Sequence, residues 1–430
     1  MDENKLEAQT AAGGISAPNL PEKKPFSASG REKIAAFFMY IAAYIYWAKG
    51  LSGWGLLGFT AAFIALTEFL NWKRARSWES WVWLGCVLVI TAGIYFGRAR
   101  AWGDVYPYLF LHIFAVWWVL SRSGRLLEGE SGHLLPFDAL NGFIVFPFRH
   151  FFLRIRTVWF TLTHFRRREG RAKAENIVWT IVAVLVSCWL LLLAAGLLIT
   201  ADTGFASLMS GLADAFRFQL DADILFRVLL SLPVGAYLFG LIAGSGRESR
   251  QRLRKKGESI CAALRQLRKV PNWILTVLTG FFCLLYLLFF IVQAQYLFGA
   301  FSHTLPEGFI VSQYARQGFF ELCKVMAVNF VLLWLVSRMS AKSPRENTPA
   351  KLFCAVLLIE SMLFAVVAFS KLVLYISCFG FTPLRLQSSW LVCVLFAGCV
   401  CAIYTLFSGK KSFRAWMVFG AVTLSLLHLY

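Results

Sequence analysis

Lys351 to Gly380 reads KLFCAVLLIESMLFAVVAFSKLVLYISCFG, and beyond its first residue it holds only two formal charges, Glu360 and Lys371. An α-helix rises about 1.5 Å per residue, so roughly 20 apolar residues cross the hydrocarbon of a bilayer. This run exceeds that length. A helix apolar on every face has no side to give to water, which leaves a bilayer or the core of a large protein as its surroundings. Eleven residues make three turns, so Glu360 and Lys371 point the same way.

Similar runs recur along the whole chain: Lys33 to Trp47, Trp54 to Asn71, Trp78 to Gly97, Val105 to Ser121, Asn176 to Thr200 and Asp223 to Ser245 in the first part, then Asn272 to Phe298, Gln317 to Arg338, Lys351 to Ser377, Leu386 to Phe407 and Ser412 to Tyr430. The 430 residues are 58% hydrophobic and 15% charged, a make-up that leaves a soluble protein without a polar coat. The fold class expected is therefore all-α, a polytopic transmembrane bundle of about 11 spans. Residues 1–32 are polar, lack an apolar core and read as a flexible tail rather than a signal peptide. Residues 33–121 form a first bundle of four spans, 122–175 a basic connection, and 176–430 a second bundle of about seven. The ten cysteines fall mostly inside apolar runs without paired spacing, as small core residues do.

Orientation follows from charge. Of the 43 lysines and arginines, 34 fall on the tail and the alternate connections that share its side, six fall on the other side, and three lie within spans. By the positive-inside rule the amino terminus is cytoplasmic and the carboxyl terminus outside. The net charge of +20 is thus an orientation signal, and no nucleic-acid partner is expected. In RHFFLRIRTVWFTLTHFRRR, Arg149 to Arg168, apolar residues at helical spacing alternate with cations. This segment suits either an interfacial helix among anionic lipids of the inner leaflet or a connector packed on its own protein. A protein partner at the basic loops is the other binding expectation.

Chemistry leaves few traces. No two of the six histidines share a helix face at ligand spacing, so no metal and no cofactor is expected. A phosphate-cradling glycine loop, a Gly-x-Ser-x-Gly elbow and a Cys-x-x-Cys pair are all missing. The Asp221-Ala222-Asp223 triplet is read as chance, with Asp223 paired to Arg227 one turn on, and His112 as a core histidine. Gly240 to Gly244 has the spacing of close helix packing within the chain. An enzyme is not expected.

The remaining signal is polar residues inside spans. Gln317, Glu321 and Lys324 fall within about 60 degrees of one another on a helix, at the outer end of the eighth span. Asn329 lies deeper, close to the midplane. In the ninth span Glu360 is about 13 Å from the inner end and level with Asn329, whereas Lys371 is in the outer third, level with Glu321. A short loop joins the two helices, so they should be antiparallel neighbours, with a Glu321–Lys371 pair and Lys324 beside it. A charge at the bilayer centre costs about 2.5–3.5 kcal/mol on insertion scales, so such groups face a bundle interior or a watery cavity. Glu360 is either a proton- or cation-loading carboxyl or a neutral group bonded to Asn329.

YARQGFFEL, Tyr314 to Leu322, followed by LYISCFGFTPLRL, Leu374 to Leu386, resembles the paired signatures of a bacterial group of polytopic membrane proteins known as a domain of unknown function, of the 4173/4153 type. The likeness covers about Asn176 to Trp390 and departs at Lys371, where arginine is expected. It implies no activity. It does draw in Arg316, Tyr375 and Arg385, which sit with the motifs at one membrane face. Arg316 and Arg385 are suited to an anionic headgroup, and equally to capping helices. The candidate pathway is therefore Arg316, Glu321, Lys324, Asn329, Glu360, Lys371, Tyr375 and Arg385. The working function is a transporter-like or lipid-handling protein, and the alternative is a non-catalytic sensor, regulator or assembly partner.

Overall fold

A computed structural model describes residues 26–48, 52–98, 105–168, 222–292 and 311–430, with 103 and 187 singly. The described residues are helical throughout apart from connections and one isolated bridge between Val270 and Ser340. The helices are α1 (Gly30–Ala48), α2 (Gly53–Asn71), α3 (Trp78–Tyr95), α4 (Tyr106–Ser123), α5 (Leu135–Leu140), α6 (Leu153–Arg168) and α7 (Ala222–Phe239). They continue with α8 (Arg250–Arg265), α9 (Asn272–Val292), α10 (Val311–Met339), α11 (Thr348–Phe379), α12 (Pro383–Ser408) and α13 (Phe413–Leu427).

Among the described residues, seven helical stretches are long and apolar enough to cross a membrane: α2, α3, Phe226–Arg247, α9, Gly318–Met339, α11 and α12. Three more of the expected spans form helices that fall short of that standard for visible reasons. Helix α1 carries Arg31, Glu32 and Lys33 in its first turn, α4 is rich in Trp, Tyr and His, and α13 has only 15 residues. Apart from Ser187, the expected span Asn176 to Thr200 lies outside the described residues.

Two hydrophobic cores organise the described residues. The first gathers α1 to α4 with the segment before α6, the end of α7 and the buried face of α13, around Trp83, Trp117, Trp118, Phe146 and Phe239. Helix α13 joins it late in the chain: Ala421 and Leu424 are buried there, and His428 sets its ring 5.8 Å from Phe110. The second core joins α9, α10, α11 and α12 around Met326, Leu357 and Phe364, where Phe290 stacks on Phe364 at 4.5 Å. Helix α11, 32 residues long, is the axis of this half. It stops at Gly380, whose φ of 77° a side-chain-bearing residue rarely adopts, and Pro383 opens α12 after the extended Thr382.

The basic connections collect at one face. Arg74 donates to the carbonyls of Ser123 at 3.1 Å and Gly246 at 2.7 Å, tying the ends of α2, α4 and α7 together. Arg125 donates to Ser245 and Gly246 carbonyls, both at 2.9 Å. Helix α7 runs into a π-helical turn, Gly240–Gly244, because Gly240 abuts the Pro147 carbonyl and Gly244 abuts His150, leaving no space for a Cβ at either position. The Gly-x-x-x-Gly spacing thus serves packing within the chain.

Candidate functional site

Within the second core the sequence-predicted residues separate into three groups. At mid-span, Tyr286 of α9 donates to Asn329 Oδ1 at 2.7 Å, and Asn329 Nδ2 donates to Ser361 Oγ at 2.8 Å. Ser361 closes the chain by donating to the Leu357 carbonyl at 2.7 Å. Asn329 and Ser361 are each 1% exposed. Glu360, also buried, is not bonded to Asn329: its carboxyl faces Cys283 of α9. One helical position separates Glu360 from Ser361, about 100 degrees of rotation, and Ser361 is the residue that meets Asn329.

Nearer the opposite end, Lys371 is fully buried and crosses the backbone of Gly318 on α10, in the electrostatic field of Glu321. The helix pair thus brings Glu321 and Lys371 together. Lys324 does not join them and is exposed, as is Glu321 itself. At the end of α11, Arg385 donates to the carbonyls of Phe379, at 2.8 Å, and Gly380, and its guanidinium lies 4.3 Å over the ring of Tyr375. Arg385 therefore caps α11 and stacks on Tyr375. The side chains of Arg316 and Asp223 lie outside those described. His112 is a satisfied core histidine, between Tyr46 Oη at 3.1 Å and the Tyr108 carbonyl at 2.6 Å.

A second polar centre lies at the basic face, and its residues carried no motif in the sequence. The loop from Gly124 to His133 folds under α8. Gly124, at φ 64°, lets the Arg250 guanidinium lie against its backbone, and Gly257 brings α8 onto the Leu127 carbonyl. Glu79, 1% exposed at the start of α3, anchors the loop. It accepts from the Ser131 hydroxyl, from the Ser131 N–H at 3.2 Å and from Trp83 Nε1 at 3.0 Å, with Arg414 3.4 Å away. Glu68 holds Arg122 at 2.9 Å and Arg76 at 2.8 Å. Asp138 accepts from the Leu127 N–H at 2.9 Å, and burial pushes its carboxyl up to about 7.

Between this loop and α8 opens a cavity of about 1000 Å³. Arg250, Arg254, Arg265 and Lys411 line it against two carboxylates, Glu128 and Glu258. Arg254 pairs with Glu258 at 3.2 Å and Lys411 stands 3.7 Å from Glu128, so Arg250 and Arg265 supply the excess positive charge. Behind the wall, burial and then the charges of Arg74 and Arg250 bring Arg125 down to about 10. Three guanidiniums held this close destabilise one another, a repulsion that an anion placed beside them would relieve. The only sequence-level signal was acidic residues, Glu128, Glu130 and Asp138, inside an otherwise basic connection.

Apolar helices of spanning length around two hydrophobic cores, with cationic ends gathered at one face, make this a multi-pass helical membrane protein. The family described as Domain of unknown function (DUF4153) matches residues 84–430, and the chain belongs to it. The match extends beyond the stretch that the two signatures suggested, from within α3 through α13. Neither the curated proteins nor the solved structures contain a match to the chain.

Proposed function

We propose that the protein is a ligand-responsive membrane regulator or sensor that takes a phosphate-bearing anion in the cavity at its basic face. The imbalance of its lysines and arginines supports a cytoplasmic setting for that face, and the likeness to a bacterial group supports a bacterial inner membrane. The observation that carries the reading is the cavity itself, with Arg250 and Arg265 on its wall and Arg74 and Arg125 behind it. Arginine forks suit phosphate oxygens. The packing of the mid-span groups supports the same reading: Asn329, Ser361 and Tyr286 satisfy one another in a closed network, as a scaffold requires. Helix α6 fits beside it as an interfacial element, since Ile155, Trp159 and Leu162, with Phe152 just before the helix, are 61–69% exposed while Arg154 donates to the Ala36 carbonyl of α1 at 3.0 Å.

Transport or lipid handling at α10 and α11 is the second reading, favoured by exposed Glu321 beside buried Lys371, with exposed Lys324 on the same helix as Glu321. Calorimetric titration of the purified full chain with inorganic pyrophosphate, and of the chain in nanodiscs with and without phosphatidylglycerol, tests the first reading. Saturable binding that weakens at least tenfold in Arg250→Ala/Arg265→Ala supports it, and the nanodisc arm tells a lipid headgroup from a free phosphate. No binding, or binding indifferent to both arginines, rejects it. pH-coupled solute uptake in vesicles that disappears in Glu360→Gln would favour the transport reading instead.

A further inference from the structure

One corner of the same cavity holds three side chains of different chemistry. Glu128 and His133 come from the loop before α5, and Cys261 from the middle of α8. Their ligand atoms all lie within 4.8 Å of one another, and Glu128 Oε1 is 3.2 Å from His133 Nε2. We infer that Glu128, His133 and Cys261 bind a zinc-type divalent transition metal ion, with a fourth coordination position open to the cavity. The inference concerns the metal alone and does not rest on the anion reading.

Several features make this more than a chance meeting. The Glu128 carboxylate is folded back over Gly132, where a Cβ would collide with Oε2, so the glycine is what allows the loop to present Glu128 beside His133. The Gly257 contact with Leu127 seats α8 on the same loop and brings Cys261 to it, one turn further along the helix. Carboxylate, imidazole and thiolate are the three side-chain types zinc selects, at bond lengths of about 2.0–2.3 Å, which put ligand atoms about 3.3–3.8 Å apart. A spread of 4.8 Å is closed by rotamer shifts of about 1 Å, and the side chains have room for them: Glu128 keeps 25% of its side-chain surface and His133 27%. Lys411, the nearest cation to Glu128, is 76% exposed and free to swing into solvent as the ion enters. On binding, the Cys261 thiol gives its proton to solvent and the sulfur takes the metal as thiolate. Three protein ligands with one open position is the pattern of a site that handles a ligand, since closed structural sites use four. The loop and α8 are so far apart in sequence that no ligand spacing announces them.

Cobalt(II) tests the assignment, because its thiolate charge-transfer absorbance reports a sulfur ligand directly. The full chain, purified in detergent and stripped with chelator, is titrated with cobalt and then with zinc as competitor. One cobalt per chain with a thiolate band, displaced by zinc, is the expected result. Cys261→Ser should remove the band, and His133→Ala and Glu128→Gln should each weaken zinc at least tenfold. Cys393→Ser, at an exposed thiol remote from the loop, should leave both unchanged. Absence of a thiolate band, a band lost in Cys393→Ser, or zinc affinity untouched in both His133→Ala and Glu128→Gln overturns the site. Should Cys261→Ser fail to fold, the other two variants decide it.

Discussion

The ammonium of Lys371 lies over the backbone of Gly318: a Cβ built on that glycine would stand 2.6 Å from Nζ and 3.1 Å from Cδ. Because Lys371 is fully buried, it has little room to retreat. Gly318→Ala should therefore cost about 1–3 kcal/mol by overpacking. In a Lys371→Ala background the same methyl should cost almost nothing, a coupling within the range of about 0.5–3 kcal/mol expected for residues in contact. Detergent unfolding of the four proteins in the cycle measures it.

Glu321 supplies the opposing charge. Breaking one side of a buried pair leaves the other charge uncompensated, whereas an apolar replacement of both is often neutral. Glu321→Gln should lower stability by about 1–3 kcal/mol, less than for a wholly buried pair because Glu321 is exposed. Glu321→Gln/Lys371→Met should recover most of it. A double variant no better than the single one would show that the charges do not act as a pair.

Glu79 holds Ser131, Trp83 and Arg414 at once. Glu79→Ala should be the most damaging of these substitutions, at about 3–5 kcal/mol, by stranding Ser131 and Trp83 in a buried place. Limited proteolysis between Gly124 and His133 should rise with it, since the loop loses its anchor.

Asp138 has a carboxyl raised to about 7 by burial, with Oδ2 lacking a hydrogen-bond partner among the described residues. A group whose folded pKa is raised contributes stability that is present below the ordinary carboxylate range and lost as pH rises through the folded value. Wild type should lose stability between about pH 4 and 7. Asp138→Asn mimics the protonated form, so it should match wild type near pH 4 and exceed it at pH 8, by about 2–4 kcal/mol. Melting curves across that range that ran parallel for the two proteins would contradict the assignment.

How much was legible in advance depends on which physics sets each feature. Span length and apolarity are local properties, so α2, α3, α9, α11 and α12 were readable directly, and Gly380 with Pro383 marked the turn between α11 and α12. The antiparallel approach of Glu321 and Lys371 followed from helical rise alone. A rotation of one residue was beyond that reading: Ser361, not Glu360, meets Asn329, because α9 inserts Tyr286 and Cys283 beside the pair. The cavity at the basic face was invisible for a different reason. It is made by contacts between the Gly124 to His133 loop, α8 and α13, distant in sequence and joined by glycine approaches and a buried Glu79 that resemble ordinary connection residues.

The most direct test of the basic-face cavity uses the thiol that lines it. A full-length chain keeping Cys261 as its only cysteine is labelled with a membrane-impermeant maleimide in oriented vesicles, with chelator present, and with or without inorganic pyrophosphate. The account predicts labelling from the cytoplasmic side alone, slowed at least tenfold by saturating pyrophosphate, with the slowing lost in Arg250→Ala/Arg265→Ala. Labelling from the outer side, or a rate indifferent to pyrophosphate, would contradict it.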